Sequence, residues 1–410
     1  MQFATGPDPT DLLTLPWSTA LERWPNEKLV SLPRGISRHV VRFVRIGGIV
    51  YAIKEISKGL AEHEYELLRA LAKRELPAVQ AVGVVANRMT PDGEPLDAAL
   101  VTKHLRFSLP YRALFSRRMD PDLETKLLDA LAELLVRLHL AGFAWRDCSL
   151  SNTLFRRDAG ALAAYLVDAE TGELRESLSR GQRLQDLDIV ETNVAGELLD
   201  LQMSRLLPES IDPLETAMSV IERYERLWDL LTAPQTMGAD EWWRIEQRLR
   251  RLNELGFDVD ELDIVQGPDG NRLRVRTRIA EPGRHRQLLF ARTGIDAEEN
   301  QARRLLNDIA SFRGWQEQAE GRRVPETAAA NRWLAEVYDP VIASMPADLR
   351  GRLDDAEVFH EILEHRWFLS EAEGRDVGTS AAAADYFAGV LPAVPPDLTV
   401  GSGMRGIIGP

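Results

Sequence analysis

The feature of this sequence that most constrains its fold is a pair of β-branched runs joined by two glycines. The runs are Val40–Ile46 and Ile49–Ile56, and Gly47-Gly48 separates them. Branched residues favour extended backbone, and a Gly-Gly segment is typical of a tight hairpin turn. The pattern therefore predicts an antiparallel β-hairpin and excludes a purely helical fold for this part of the chain.

Elements of both types follow, in an order that separates strands from helices. A helix is predicted over about 60–74, and strands are predicted over Val79–Ala86 and Ala98–His104. Helices dominate later, beginning with a leucine stripe that starts near Pro121 and ends at Gly142. We therefore expect an α+β fold. Its predicted parts are an N-terminal segment (1–24), a small lobe (25–103), a large lobe (104–235), a mainly helical C-terminal domain (236–391) and a flexible tail (392–410).

Charge and cysteine content restrict the expected partners and compartment. The formal net charge is −14, and this excess of acid repels a phosphate backbone, so nucleic acid is not an expected partner. The single cysteine, Cys148, excludes an internal disulfide framework and favours a reducing compartment. No stretch reaches the roughly 18 apolar residues of a membrane span, and no secretory signal is predicted. We expect a cytoplasmic protein without a transmembrane segment.

A lysine stands on the second strand of the hairpin, where chemistry is expected of it. Lys54 shares one face of that strand with Ala52 and other apolar residues, and a cation there is costly unless an anion meets it. Glu64 on the following helix is the predicted partner, with its neighbours Glu62 and Glu66 as alternatives. The spacing therefore predicts an ion pair between the hairpin and the helix.

Side chains with oxygen ligands occur in two loops after the leucine-rich helix. Asp147 and Asn152 lie in the loop after the leucine-rich helix, and Asp168 ends an apolar strand 21 residues after Asp147. Hard oxygen atoms from two loops suit Mg²⁺, which keeps several waters and takes few protein ligands. Each residue alone is also typical of a loop turn, but the set favours a cation site.

In this order and on these elements, the residues resemble the protein-kinase signature set. Tyr51-Ala52-Ile53-Lys54 is similar to V-A-I-K, Arg146-Asp147 with Asn152 to the catalytic loop, and Asp168 to the first residue of D-F-G. The resemblance covers about residues 30–205 and points to the lipopolysaccharide (Kdo) kinase-like family, which implies a two-lobed protein-kinase-like fold. The stretch Glu364–Glu371 resembles an uncharacterised actinobacterial family that joins such a region to a C-terminal domain of unknown function.

The resemblance implies ATP and Mg²⁺ as cofactors. Lys54 and Glu64 would bind the nucleotide phosphates, with Lys54 also counted as catalytic, and Ala52 would pack against adenine. Ser37, in the loop before the hairpin, would contact phosphate. That loop is not glycine-rich, since Gly35 is its one glycine.

The resemblance also implies transfer of a phosphoryl group to a hydroxyl acceptor, with a sugar or glycolipid as the suggested class. A protein Ser or Thr and an amphipathic small molecule are open as alternative acceptors. Asp147 would orient the attacking hydroxyl, while Asn152 and Asp168 would hold the cation. Phosphoryl transfer requires mainly positioning and neutralisation of charge, which these residue types supply. An ATP- and Mg²⁺-dependent phosphotransferase is the predicted function.

Several departures from the kinase pattern favour an alternative, a pseudokinase that binds nucleotide or acts as a scaffold through its C-terminal domain. Trp145 replaces the usual histidine before Arg-Asp, and Ala169-Glu170 replaces Phe-Gly after Asp168. Glu170 is open between a further metal ligand and a surface acid. The role of residues 236–391 is also open between capping the cleft, binding substrate, and contacting a protein partner or second copy.

Other conspicuous residues are predicted to be structural. His139 on the leucine-rich helix is predicted as a core histidine, and Cys148 as a small buried side chain in a tight loop. Aromatic side chains of the C-terminal domain are predicted to anchor its core. They are Trp242, Trp243, Trp315, Trp333 and Trp367.

Overall fold

A computed structural model provides the fold, and its contacts divide the chain into two compact units. The first unit comprises Met1–Arg156 and Ala163–Leu230, and the second comprises Arg157–Leu162 and Leu231–Pro410. The structure describes residues 2–5, 10–32, 39–115, 121–233, 235–238, 247, 252, 259–266, 272–279 and 283–397.

Twelve short strands are described from the N-terminus to residue 174, and the largest sheet has five of them. The strands are β1 (Gln2–Thr5), β2 (Val40–Ile46), β3 (Ile49–Ile56), β4 (Gln80–Ala86), β5 (Arg88–Met89), β6 (Pro95–Leu96), β7 (Ala98–Lys103), β8 (Leu109–Pro110), β9 (Phe143–Ala144), β10 (Thr153–Asp158), β11 (Ala161–Leu166) and β12 (Glu173–Leu174). The large sheet is antiparallel throughout, in the order β1-β4-β7-β3-β2. The predicted hairpin is β2–β3, and its register pairs Ile46 with Ile49 across the glycine turn.

Residues before the hairpin cover one face of this sheet. Trp17, Leu21 and Trp24 are buried against Tyr51 and Ile53 of β3. Trp17 and Trp24 also pack edge to face, with ring centroids 5.3 Å apart. The sheet therefore buries its Tyr51 face under the N-terminal residues, and its other face remains available for the helix that follows.

Five helices complete the description of this unit. They are α1 (Lys58–Lys73), α2 (Tyr111–Phe115), α3 (Pro121–Leu140), α4 (Arg180–Met203) and α5 (Pro213–Thr232). The leucine stripe of α3 faces the interior of this unit, where Leu131, Leu135 and Leu138 are fully buried. Helix α4 begins with a capping box, in which Ser179 and Gln182 satisfy each other's backbone N–H groups.

The second unit is mainly helical. Its three-stranded sheet contains β13 (Gln235–Gly238), β14 (Val259–Gln266) and β15 (Arg272–Ile279), and β15 pairs antiparallel with both of the others. Its helices are α6 (Arg284–Thr293), α7 (Glu299–Glu320), α8 (Glu326–Trp333), α9 (Asp339–Ala343), α10 (Asp355–Glu373) and α11 (Thr379–Gly389). The prediction of an α+β fold with a mainly helical C-terminal region is therefore confirmed.

A buried carboxylate cluster lies inside the second unit, at the turn 157–162. Asp158 accepts hydrogen bonds from the backbone N–H groups of Asn300 (3.2 Å) and Gln301 (2.8 Å) at the start of α7. Glu357 of α10 accepts from the Ala159 N–H (2.9 Å) and from Gln301 Nε2 (2.6 Å). Burial, together with the charge of Glu298, raises the pKa of Asp158 to about 8. Burial raises the pKa of Glu357 to about 7.

The prediction that tryptophans anchor the C-terminal core holds for one described residue and is wrong for two. Trp333 is fully buried and packs edge to face with Phe359. Trp315 and Trp367 are 62% and 59% exposed, because each projects from the solvent side of its helix. Trp242 and Trp243 lie outside the described residues. Within the helices that the structure describes, none is long and apolar enough to cross a bilayer.

Candidate active site

Lys54 lies among three carboxylates. Its Nζ is 3.2 Å from Glu64 Oε2, 2.7 Å from Asp168 Oδ2 and 2.7 Å from Glu170 Oε2. Strand β3 presents Lys54, α1 presents Glu64, and the turn after β11 presents the other two. The structure therefore brings together the lysine, the helical glutamate and the strand-end aspartate that the sequence predicted, and adds Glu170.

One ammonium group faces three acids, and the pKa values of Lys54 and Glu64 respond to these charges. Burial lowers the pKa of Lys54, but the charges of Glu64 and Asp168 outweigh burial and raise it, so Lys54 stays cationic. Burial and the charge of Asp168 raise the pKa of Glu64 to about 7, even though Lys54 opposes that rise. The carboxylate oxygens of Glu64, Asp168 and Glu170 all lie within 4.8 Å of one another. The cluster is thus short of positive charge.

The segment Asp168–Glu170 is fixed by two contacts that compensate for its departures from the kinase pattern. The Ala169 N–H donates to Glu64 Oε1 (3.2 Å), so Glu64 holds both the lysine and this segment. The Trp145 indole N–H donates to the Asp168 carbonyl (2.7 Å). Trp145 therefore supplies a side-chain donor to the segment despite replacing a histidine.

Asp186 of α4 fixes the backbone of the loop that carries Asp147. It is buried and accepts from the N–H groups of Trp145 (2.8 Å) and Arg146 (2.6 Å). Arg146 has a φ of 62°, in the left-handed region, so this strained turn is held by a charge-assisted contact. His139 also contacts Asp186 (2.9 Å) and is buried, which confirms its prediction as a core histidine.

Asn193 and Glu197, also on α4, hold the rest of that loop. Glu197 accepts from the N–H groups of Leu150 (2.7 Å) and Ser151 (3.1 Å). Asn193 Nδ2 donates to the Cys148 carbonyl (3.1 Å) and lies 3.4 Å from Asp147 Oδ1.

Sequence reasoning missed these α4 residues, although one of them left a signal. Asp186, Val190 and Val194 recur every four residues, which places an acid on the buried face of a helix. An unpaired carboxylate there would be costly, so the pattern indicates that donors from another element meet it. Cys148 is fully buried in the loop that α4 holds, as predicted, and burial raises the pKa of its thiol.

Asn152 is oriented by Asp147. Its Nδ2 donates to the Asp147 carbonyl (3.0 Å) and to Asp147 Oδ2 (3.3 Å). Because the amide nitrogen is directed to Asp147, the amide oxygen Oδ1 presents an acceptor on the other side of the group. This geometry leaves the Asn152 amide oxygen able to bind a cation beside the Asp147 carboxylate.

Two cavities meet at these residues within the first unit. One, of about 210 Å³, has apolar walls that include Val41, Ala52 and Leu154, and it contains Lys54 and Glu64 in its lining. The other, of about 420 Å³, is lined by polar groups that include Asp147. Four residues line both cavities: Tyr111, Ser151, Asn152 and Asp168.

Six of the seven predicted site residues thus line or border one continuous region. Ala52 lies in the apolar wall, Lys54 and Glu64 lie deeper, and Asp147, Asn152 and Asp168 lie at or beyond the junction of the cavities. Ser37, the predicted phosphate contact, lies outside the described residues. Glu170 is not a simple surface acid, since its side chain contacts both Lys54 and His39.

Comparison with known families matches two parts of the chain. Residues 50–207 match the model of the lipopolysaccharide kinase (Kdo/WaaP) family, and residues 226–391 match a domain of unknown function, DUF4032. The resemblance inferred from the sequence motifs is therefore confirmed. No curated protein matches the chain.

Two solved structures are among those similar to the chain. One is described as WaaP in complex with acyl carrier protein, with 17% identity, 62% of this chain and 99% of that chain covered, and a TM-score of 0.37. Another is an aminoglycoside-3'-phosphotransferase of type VIII, with 18% identity, 51% and 89% covered, and a TM-score of 0.30.

Proposed function

We propose that this chain, whose residues 50–207 match the lipopolysaccharide kinase (Kdo/WaaP) family, is a phosphotransferase that uses ATP and a divalent cation. One observation carries the proposal. Lys54, Glu64 and Asp168 form a connected cluster that lines an apolar cavity and reaches a polar one through Asp168. The apolar cavity suits the base of a nucleotide, and the cluster suits its phosphates. The polar cavity suits a hydroxyl acceptor.

The apolar cavity suits the base and Lys54 suits the phosphates. Ala52 is small and its strand neighbours are apolar, so a flat aromatic ring can pack between the walls at Val41 and Leu154. Lys54 is held at the inner end of this cavity by Glu64. It offers an ammonium group where the α- and β-phosphates would lie.

The residues at the junction fit a divalent cation. Asp168 and Asn152 supply a carboxylate and an amide oxygen, which are the ligand types that Mg²⁺ takes, usually with several waters. Three acids around one lysine leave excess negative charge, which a divalent cation would neutralise. When bound, the cation would offset the charge that builds up on the transferred and leaving phosphate oxygens.

Asp147 acts on the acceptor in this proposal. The acceptor oxygen forms a bond to the γ-phosphorus as the bond from that phosphorus to the bridging oxygen of ADP breaks. The proton of the attacking hydroxyl passes to the Asp147 carboxylate, and Lys54 neutralises charge on the departing ADP. Asp186, Asn193 and Glu197 keep the loop of Asp147 in place for this transfer.

The experiment that tests this proposal is thermal unfolding of the full chain with ATP, with and without Mg²⁺, for wild type and Asp168→Ala. Ligand at a hundred times its dissociation constant stabilises by about 2.7 kcal/mol. For a unit of this size the unfolding temperature would rise by roughly 5–10 °C. We expect a rise that depends on Mg²⁺ in wild type and is lost in Asp168→Ala. The matched control is Asp188→Asn, which changes an exposed acid on α4. This variant should show the same rise in unfolding temperature as wild type.

Turnover separates a working kinase from a pseudokinase. Release of ADP from Mg-ATP is measured for wild type and for Asp147→Asn at saturating nucleotide. We expect a loss of roughly 10²-fold or more in Asp147→Asn, with nucleotide affinity unchanged, because a general base contributes about that much. Equal turnover in both proteins would remove Asp147 from the mechanism. Nucleotide binding without turnover in either would favour the pseudokinase.

A further inference from the structure

The polar cavity beside Asp147 carries information about the acceptor that the family match does not give. Its volume of about 420 Å³ lies within the usual range for small-molecule sites. It shares Asn152 and Asp168 with the nucleotide cavity and contains Asp147. A molecule in this cavity would therefore meet the groups that the proposed transfer uses.

Helix α4 builds one wall of this cavity from residues three or four positions apart. Asn193, Gly196, Glu197 and Asp200 recur at the spacing that places side chains on one face of a helix. Gly196 has nothing within 4 Å of the position its Cβ would take, so it leaves room beside the loop. Asp200 is exposed at the outer end of this row.

The charge of the lining is strongly one-sided. Five carboxylates line the cavity, against one histidine, and no lysine or arginine is among the described residues of its lining. The others are neutral hydroxyl or amide groups, such as Tyr111, Ser149 and Ser151. The carboxylates are Asp147, Asp168, Glu170, Glu197 and Asp200.

Not all of these acids are equally available to an acceptor. Asp168 and Glu170 contact Lys54, and Glu197 accepts backbone N–H groups of the loop. Asp200 is the exposed carboxylate among the five, and the other four are partly buried. Lys54 and the proposed divalent cation offset the charges of Asp168 and Glu170, so the acids left to act on an acceptor are Asp147, Glu197 and Asp200. Clustered negative charge in a cleft attracts cations and disfavours anions.

We propose that the acceptor is a small hydroxylated compound that carries an amine or guanidinium cation, and that Asp200 selects for this cation. The inference rests on the proposed phosphotransferase function. It disfavours acceptors that carry a carboxylate of their own near the reacting hydroxyl, because such a group would face several acids at close range.

Glucose and two sugars that each differ from it at one carbon provide the test: glucosamine, with an amine at C2, and glucuronic acid, with a carboxylate at C6. Their dissociation constants for the full chain are measured by ligand-observed NMR in the presence of Mg²⁺ and a non-hydrolysable ATP analogue. We expect glucosamine to bind at least tenfold more tightly than glucose, and glucuronic acid more weakly than glucose. Since Asp200 is exposed, Asp200→Asn should raise the dissociation constant of glucosamine by about twofold to fivefold and leave that of glucose unchanged. Asp188→Asn, on the same helix but outside the cavity, should change neither.

Charge reversal provides a second test, in which the variant gains affinity for one sugar. Asp200→Lys should bind glucuronic acid more tightly relative to glucosamine than wild type does. Equal affinities for the three sugars, preference for glucuronic acid in wild type, or no binding of glucosamine would overturn the proposal. Failure of the ATP analogue to bind would instead overturn the phosphotransferase function itself, so the two failures are distinguishable.

Discussion

The buried carboxylate cluster of the second unit makes a quantitative prediction for Glu357→Gln. Both donors to this side chain, the Ala159 N–H and Gln301 Nε2, meet the same oxygen, Oε2. Glutamine can place its amide oxygen there and keep both hydrogen bonds while it removes the charge. The substitution therefore isolates the free-energy cost of ionising a buried carboxyl group.

The magnitude follows from the shift of the pKa from its ordinary value of 4.5 to about 7. The folded state holds the proton more tightly than the unfolded state does. The resulting stability is present below pH 4.5 and is lost as the pH rises through about 7. A shift of that size corresponds to about 3 kcal/mol. Wild type should therefore lose about 2–3 kcal/mol of unfolding free energy between pH 5 and pH 8.5 through this group, and Glu357→Gln should not show this loss.

The assay is equilibrium unfolding of the full chain in urea at both pH values. Amide exchange in peptides from α7 identifies the transition of the second unit. Glu371→Gln, an exposed acid on the same helix as Glu357, is the control and should follow wild type at both pH values. If Glu357→Gln also follows wild type at both, the carboxyl group is not ionising in the buried state and the reasoning is wrong.

Three further changes test the first unit. Asp186→Asn directs an amide N–H at a backbone donor, so the free energy of unfolding of this unit, measured in urea, should fall by about 2–4 kcal/mol. The exposed Asp188→Asn is the control and should have little effect. Gly142→Ala places a Cβ 2.1 Å from the Arg175 carbonyl at a φ of +81° and should lower the thermal midpoint markedly, in contrast to Gly181→Ala, where nothing lies within 4 Å. Glu170→Gln frees Lys54 of one competitor for phosphate, so the dissociation constant for ADP in EDTA, measured by calorimetry, should fall by roughly threefold to tenfold; a rise would contradict this role.

Local patterns predicted most of the first sheet and its lysine. The glycine turn fixed the hairpin 40–56 because branching and turn chemistry act over a few residues. The helix predicted over 60–74 is observed at Lys58–Lys73. Glu64 and Lys54 then meet on the inner face of the sheet. The apolar surroundings of Lys54 predict an acidic partner on this helix, but the choice of Glu64 over Glu62 and Glu66 came from the resemblance to the kinase family.

The α4 contribution could not be predicted in the same way. An acid such as Glu197 on a helix is usually solvated, and only the folded chain shows that the Leu150 and Ser151 N–H groups meet it. Trp315 and Trp367 were assigned to the core from residue type, but position on the helix decides exposure. The placement of residues 157–162 in the second unit depends on partners far along the chain, which no local signal marks.

That placement has a consequence for the order in which the chain is made. Asp158 leaves the ribosome about 200 residues before Glu357. At about 5–20 residues per second, the turn 157–162 waits roughly 10–40 seconds before its partners on α7 and α10 exist. Until then, a polar turn that the finished protein buries is open to solvent, to proteases and to chaperones. Arrested chains that end before α10 should therefore be cleaved at this turn, and full-length chains should resist.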